Sequence, residues 1–135
     1  MFDAERFLSA QAPVIDTVRR ELRAVRKQSH WMWFVFPQLA GLGHSEMARR
    51  YALASVEEAR DYLAHPVLGP RLVECTELVN AVRGASIREV LGSPDDLKFR
   101  SCMTLFAQAA PEEPVFRAAL RQWFGGTGDN GWRAG

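Results

Sequence analysis

The chain has 135 residues, 47% of them apolar and 24% charged, with a formal net charge of +1. That length and balance fit one soluble globular domain with its own core. They leave no whole-protein field that would draw nucleic acid. No uncharged apolar run approaches the ~18 residues of a membrane span. Asp3, Glu5 and Arg6 interrupt the N-terminus where a signal peptide would be apolar. The expectation is a cytoplasmic protein without membrane contact. Cys75 and Cys102 stand far apart and lack CxxC spacing. They are expected as buried, reduced thiols with no metal.

Helical signals dominate the chain from its start. A short helix around Ala4 to Ala10 would bury Phe7 and Leu8. Pro13 suits the first position of the next helix, in which Val14, Ile15, Val18, Leu22 and Val25 recur at helical spacing. The opposite face carries Arg19, Arg20, Arg23, Arg26 and Lys27. The run from Trp31 to Phe36 is apolar without alternation, so it reads as a segment buried on all sides, started near Ser29 and ended by Pro37. A fully buried strand has the same look over so short a run. Gly41 and Gly43 mark a loop, and Ser45 can cap a helix through Met47 and Tyr51.

Ser55 with Glu58 reads as a capping box, and that helix should stop before His65-Pro66. Pro70 would open a helix burying Leu72, Cys75, Thr76, Val79 and Val82, with Gly84 at its end. Ser86 with Glu89 is a second box, closed by Gly92. In "SPDD", Ser93 would cap, Pro94 would take the first position, and Asp95 and Asp96 would face the positive end of the macrodipole. A last helix carries Val115, Phe116, Ala119, Leu120 and Trp123 before Gly125-Gly126. The fold expected is all-α: a single compact domain over 1–124, an irregular array of about seven or eight short helices, then a flexible glycine-rich tail over 125–135.

Two segments concentrate chemistry. In "SHWMWFVFPQL", His30 adjoins Trp31 and Trp33, with Gln38 following Pro37. One reading is core with a histidine at its edge. The other is a pocket wall, with His30 as catalytic general acid or base near neutral pH. Two indole N–H groups need partners, which is more polar capacity than a dry core requires. In "DDLKFRSCMTLF", Lys98, Arg100 and Ser101 stand among Leu97, Phe99 and Met103. A basic residue with hydroxyls on a largely apolar helix suits a phosphate or carboxylate. The plainer reading pairs Lys98 with Asp95 or with a neighbouring helix. The arginine stripe reads as a solvated face, interrupted by Glu21 and without the aromatics of a single-strand binder. Three histidines without ligand spacing make no zinc site. "GLGHS" is neither a Walker loop nor a dinucleotide fingerprint, so no cofactor is expected.

"SHWMWFVFPQLAGLG", "YLAHPVLGPRL" and "GSPDDLKFRSCMTLFA", in this order, resemble the bacterial family called domain of unknown function 1810. Its members are sometimes labelled calpastatin-like, but calpastatins are long disordered inhibitors and this chain is apolar and compact. The resemblance runs from "ERFLSAQ" to "ALRQWFGG" and implies a mainly helical single domain. It also makes the three motifs one signature, which fits a site lined by His30, Trp31, Trp33, Gln38, His65, Arg71, Lys98, Arg100 and Ser101. It fits a shared core scaffold equally well. A fainter resemblance, "KF…M" before a late "W…GG", is to helical domains that process ADP-ribose derivatives. Two functions therefore stand side by side. One is a pocket for an anionic, partly aromatic small molecule such as a nucleotide or ADP-ribose derivative, with hydrolysis as the simplest reaction. The other is a non-enzymatic protein-interaction module whose aromatic run is core.

Overall fold

Nine helices follow one another in the computed structural model, which describes residues 2–126, and none of these residues forms a strand. They are α1 (Ala4–Gln11), α2 (Ile15–Arg23), α3 (Met32–Val35), α4 (Glu46–Arg50), α5 (Val56–Ala64), α6 (Leu68–Asn80), α7 (Ile87–Leu91), α8 (Asp95–Ala109) and α9 (Pro114–Phe124). The all-α expectation holds. The count exceeds it because the aromatic run closes a four-residue turn of helix, α3, and Ser45 caps a five-residue one, α4. Gly125 takes a left-handed φ of 65° after α9, and the Gly126 N–H donates to the Leu120 carbonyl at 2.8 Å. The remainder of the expected tail, 127–135, lies outside the described residues. No helix among the described residues is long and apolar enough to cross a membrane.

The core is built round α8. Phe99, Cys102, Met103, Leu105 and Phe106 are all buried, so this helix is apolar on nearly every side and must be covered on nearly every side. It packs against α5, α7 and α9, while α6 packs against α2, α5 and α9. Aromatic rings link these layers. Phe36 meets Phe99 edge-on at 5.1 Å, and Phe106 lies 5.6 Å from both Tyr62 and Phe116. Cys75 and Cys102 are buried in this core and form no disulfide. Burial pushes the Cys75 thiol up to about 12. Among the described residues no group of side chains is arranged to hold a metal.

Local sequence explains most helix ends, and its exceptions have causes. Ser86 and Glu89 form the full reciprocal box, with bonds of 3.1 and 2.8 Å. Ser55 accepts from the Glu58 N–H, but the Glu58 carboxylate reaches one residue further back, to the Ala54 N–H. α6 starts two residues before Pro70, because the His65 Nδ1 accepts from the N–H groups of Val67 and Leu68 at 3.1 and 3.3 Å. Pro70 then sits in the first turn, where its missing N–H leaves nothing unpaired. Pro13 lies in the turn before α2 rather than inside it. Pro94, not Ser93, occupies the cap of α8, its carbonyl accepting from Leu97 and Lys98.

Outside the helices, one pairing positions the candidate site. Leu39 and Leu53 form an isolated parallel bridge. The Ala40 N–H donates to Leu53 at 2.8 Å, and the Leu53 N–H donates to Gln38 at 2.9 Å. The backbone after Pro37 is thereby fixed, although no helix contains it.

The close approach of α5 and α6 depends on Gly69. A Cβ at that position would lie 1.9 Å from the Leu63 carbonyl oxygen and 2.9 Å from its carbon. Both are backbone atoms that cannot swing aside. Gly69→Ala is expected to destabilise the fold by about 3 kcal/mol, at the upper end of overpacking costs. Gly41→Ala meets nothing within 4 Å and suffers only from its φ of +93°, a cost of about 1 kcal/mol. Urea unfolding of the two variants checks the difference, and equal losses would contradict this account of the α5–α6 contact.

Candidate functional site

The site begins with the turn after α2. The Glu21 carboxylate accepts from the Gln28 N–H at 2.8 Å, the Ser29 N–H at 3.1 Å, the Ser29 hydroxyl, and the Trp31 indole N–H at 2.9 Å. Burial pushes this carboxyl up, but the hydrogen bonds from Ser29, Gln28 and Trp31 outweigh it and hold the group at about 2. Trp31 is thus fixed with 1% of its surface exposed. The Lys27 ammonium lies 5.0 Å from the centre of the Trp31 ring. That ammonium donates to the Ser29 carbonyl at 2.6 Å and pairs with Asp95 Oδ2 at 2.9 Å. The other Asp95 oxygen, Oδ1, is 3.6 Å from the Lys98 Nζ, which itself stands 5.2 Å from the centre of the Trp33 ring. Glu21, Trp31, Lys27, Asp95, Lys98 and Trp33 therefore form one continuous row of contacts from α2 to α8.

Beyond Lys98 the surface is concave. A cleft of about 360 Å³ lies between the α3–α4 loop and the first half of α8. Gln38, Leu42 and Gly43 line it from the loop, and Pro94, Leu97, Lys98, Arg100 and Ser101 from the helix side. The Arg100 guanidinium stacks 5.3 Å from the centre of the Phe124 ring, and the Ser101 hydroxyl donates to the Leu97 carbonyl at 3.2 Å. A second hollow of about 330 Å³ shares Gln38 and Gly43 with the first and adds His44, Ala48 and Arg49.

Gln38, Lys98, Arg100 and Ser101 are thus brought together, from two of the three motifs. The other candidates stand elsewhere. His30 is exposed and lines neither hollow. Trp31 presents no face to solvent and its N–H is taken by Glu21. Trp33 is half-buried beneath Lys98, and its buried Nε1 has no partner among the described residues. His65 caps α6. Arg71 donates to Gln11 Oε1 at 3.4 Å, and the Gln11 amide in turn reaches the Phe34 carbonyl and the Tyr62 hydroxyl at 2.7 and 2.9 Å. That buried cluster ties α1 to α3, α5 and α6. Glu21, Lys27 and Gly43 stand in the sequence only as parts of a solvated stripe and a loop, with no role at a site. Glu21 had a signal, as the one acid set into a basic stripe.

Comparison with known proteins settles the family. The model for the family described as Protein of unknown function (DUF1810) matches residues 1–133, and the chain belongs to that family. Among solved structures, the fold is similar to that of the conserved hypothetical protein Rv1873 from Mycobacterium tuberculosis, a crystal structure at 1.38 Å. The two are 58% identical over 96% of this chain and 92% of that chain, with a TM-score of 0.94. No curated protein matches the chain.

Glu21 gives stability a defined dependence on pH. Its carboxyl sits at about 2 when folded against an ordinary 4.5. The unfolded chain takes up the proton first, so the contribution is complete above about pH 4.5 and is lost as pH falls through about 2. Glu21→Gln lacks this ionisation. The excess stability of the wild type over Glu21→Gln is therefore expected to shrink steadily as pH falls from 4.5 towards 2. Urea unfolding at stepped pH measures it, and a gap that stays constant with pH would contradict the charge-based account.

Proposed function

We propose that the protein binds an anionic small molecule in the cleft between the α3–α4 loop and α8. The observation that carries this reading is the convergence of Gln38 with Lys98, Arg100 and Ser101, sixty positions along the chain, on one concave surface. A mostly apolar hollow with a few polar heads is the usual make-up of a ligand site. Lys98 is held by Asp95 on one side and Trp33 beneath, so a ligand would meet a charge already positioned and little side-chain freedom would be lost on binding. Nucleotides and ADP-ribose derivatives are the finer candidates, recognised through their phosphates. Stacking of a base on Trp31 is not part of the reading, because that ring is buried. Nor is hydrolysis, because His30 lines neither hollow.

A second reading has one observation in its favour. Leu97 is 56% exposed on the rim of the cleft, where the partner of an interaction module would cover it.

The two readings part on one variant. In a thermal-shift screen with adenosine monophosphate, ADP-ribose and sugar phosphates, a true ligand at ~100 times its Kd adds about 2.7 kcal/mol. Lys98→Met keeps the long side chain and removes the charge. Its pair with Asp95 is partly exposed, so the loss of stability should stay within about 1 kcal/mol. The expected result is a shift in the wild type that Lys98→Met abolishes while staying folded. An undiminished shift in Lys98→Met would reject the cleft, and a wild type shifted by no anion would leave the interaction module as the better reading.

A further inference from the structure

We infer that the hollow beside His44 and Arg49 is the second half of the same site, and that the ligand is a sugar or small polyol with a phosphate at each end. This rests on the reading of the Lys98 cleft as a ligand site. The two hollows adjoin, because Gln38 and Gly43 line both. Each has its own cation: Lys98, with Arg100, in the first and Arg49, with His44, in the second. Neither lining contains a carboxylate, although the chain has 16 acidic residues against 17 basic ones. A single monoanion would use one end and leave the other idle.

The partition between the halves is equally specific. A Cβ on Gly43 would lie 2.5 Å from the Ala48 Cβ and 3.5 Å from the Gln38 Nε2. Glycine lets the loop press against α4 while bare backbone lies next to the Gln38 amide. An amide offers donors at one end and an acceptor at the other. Placed between two cationic ends, it suits hydroxyl groups rather than a third charge. α4 sets the backbone of Arg49, since the Ser45 side chain caps that helix and the Arg49 N–H bonds the Ser45 carbonyl at 3.0 Å, and leaves the side chain exposed at the hollow. A cation in each half and a neutral amide shared by both motivate a ligand with two anionic ends and a polar, uncharged middle.

Calorimetry with ribose 5-phosphate and ribose 1,5-bisphosphate tests this. The wild type should prefer the bisphosphate by about tenfold, the factor one further charge-assisted contact contributes. In Arg49→Met that preference should collapse towards unity. Lys98→Met should weaken both sugars. A preference that survives Arg49→Met would overturn the two-ended site, and the loss in Lys98→Met would still uphold the Lys98 cleft. Monophosphate binding untouched by Lys98→Met would instead overturn the cleft itself. If the wild type binds neither sugar, the bisphosphate assignment is wrong, whatever other anion the cleft takes.

Discussion

The four hydrogen bonds that converge on the Glu21 carboxylate are the constraint on which the candidate site depends. α2 ends in a turn that passes through Val25, which adopts a φ of 63°. That conformation is strained for a β-branched residue and persists only where the surroundings over-determine it. Glu21 supplies the over-determination. Its backbone carbonyl takes the Arg26 N–H at 3.0 Å, and its carboxylate gathers Gln28, Ser29 and Trp31. Local strain and the placement of a core tryptophan are met by one residue, the first through its backbone carbonyl and the second through its carboxylate. A neutral replacement would leave donors aimed at a weaker acceptor.

From Trp31 the order spreads by electrostatics. The chain has two lysines, and both are held by Asp95. They are not equivalent. Lys27 is 2.9 Å from the carboxylate with only 7% of its side chain exposed, so it must stay paired. Lys98 is 3.6 Å away and 24% exposed, a looser partner on the cleft side. Asp95 therefore uses one oxygen to lock α8 to the α2–α3 turn and the other to steady a cation at the edge of a cavity.

The sequence disclosed what is local. Serine caps, the His65-Pro66 boundary, the Gly125 stop and the buried face of α6 all follow from residues within one or two turns of each other. Helix starts moved where a distant or unusual group took over the capping, as His65 did for α6. The site was half legible. The segments at Gln38 and Lys98 stood out for mixing apolar bulk with polar heads, but composition carries no distances. Nothing in the order of residues distinguishes His30, which turns to solvent, from Gln38, which lines the cleft eight positions later. That difference is made by the single turn of α3 and by the Leu39–Leu53 bridge, a pairing with no signal in local propensity.

The aromatic run is core with one half-buried ring at its edge, and none of its residues from Trp31 to Phe36 lines either hollow. Trp31, Met32, Phe34, Val35 and Phe36 are buried, and Phe36 anchors the segment on Phe99 of α8. Trp33 lies between that core and Lys98. A rigid ring under a lysine limits the rotamers the lysine can explore, so the packing of the segment sets the position of the charge. The same segment then delivers Gln38 two residues after its last buried ring. The polar atoms along the run divide accordingly. The Trp31 N–H is satisfied within the core by Glu21, while the Gln38 side chain lines the hollows. A buried aromatic scaffold of this kind makes the loop after Pro37 precise without a helix of its own, and precision in a loop is what a binding surface requires of it.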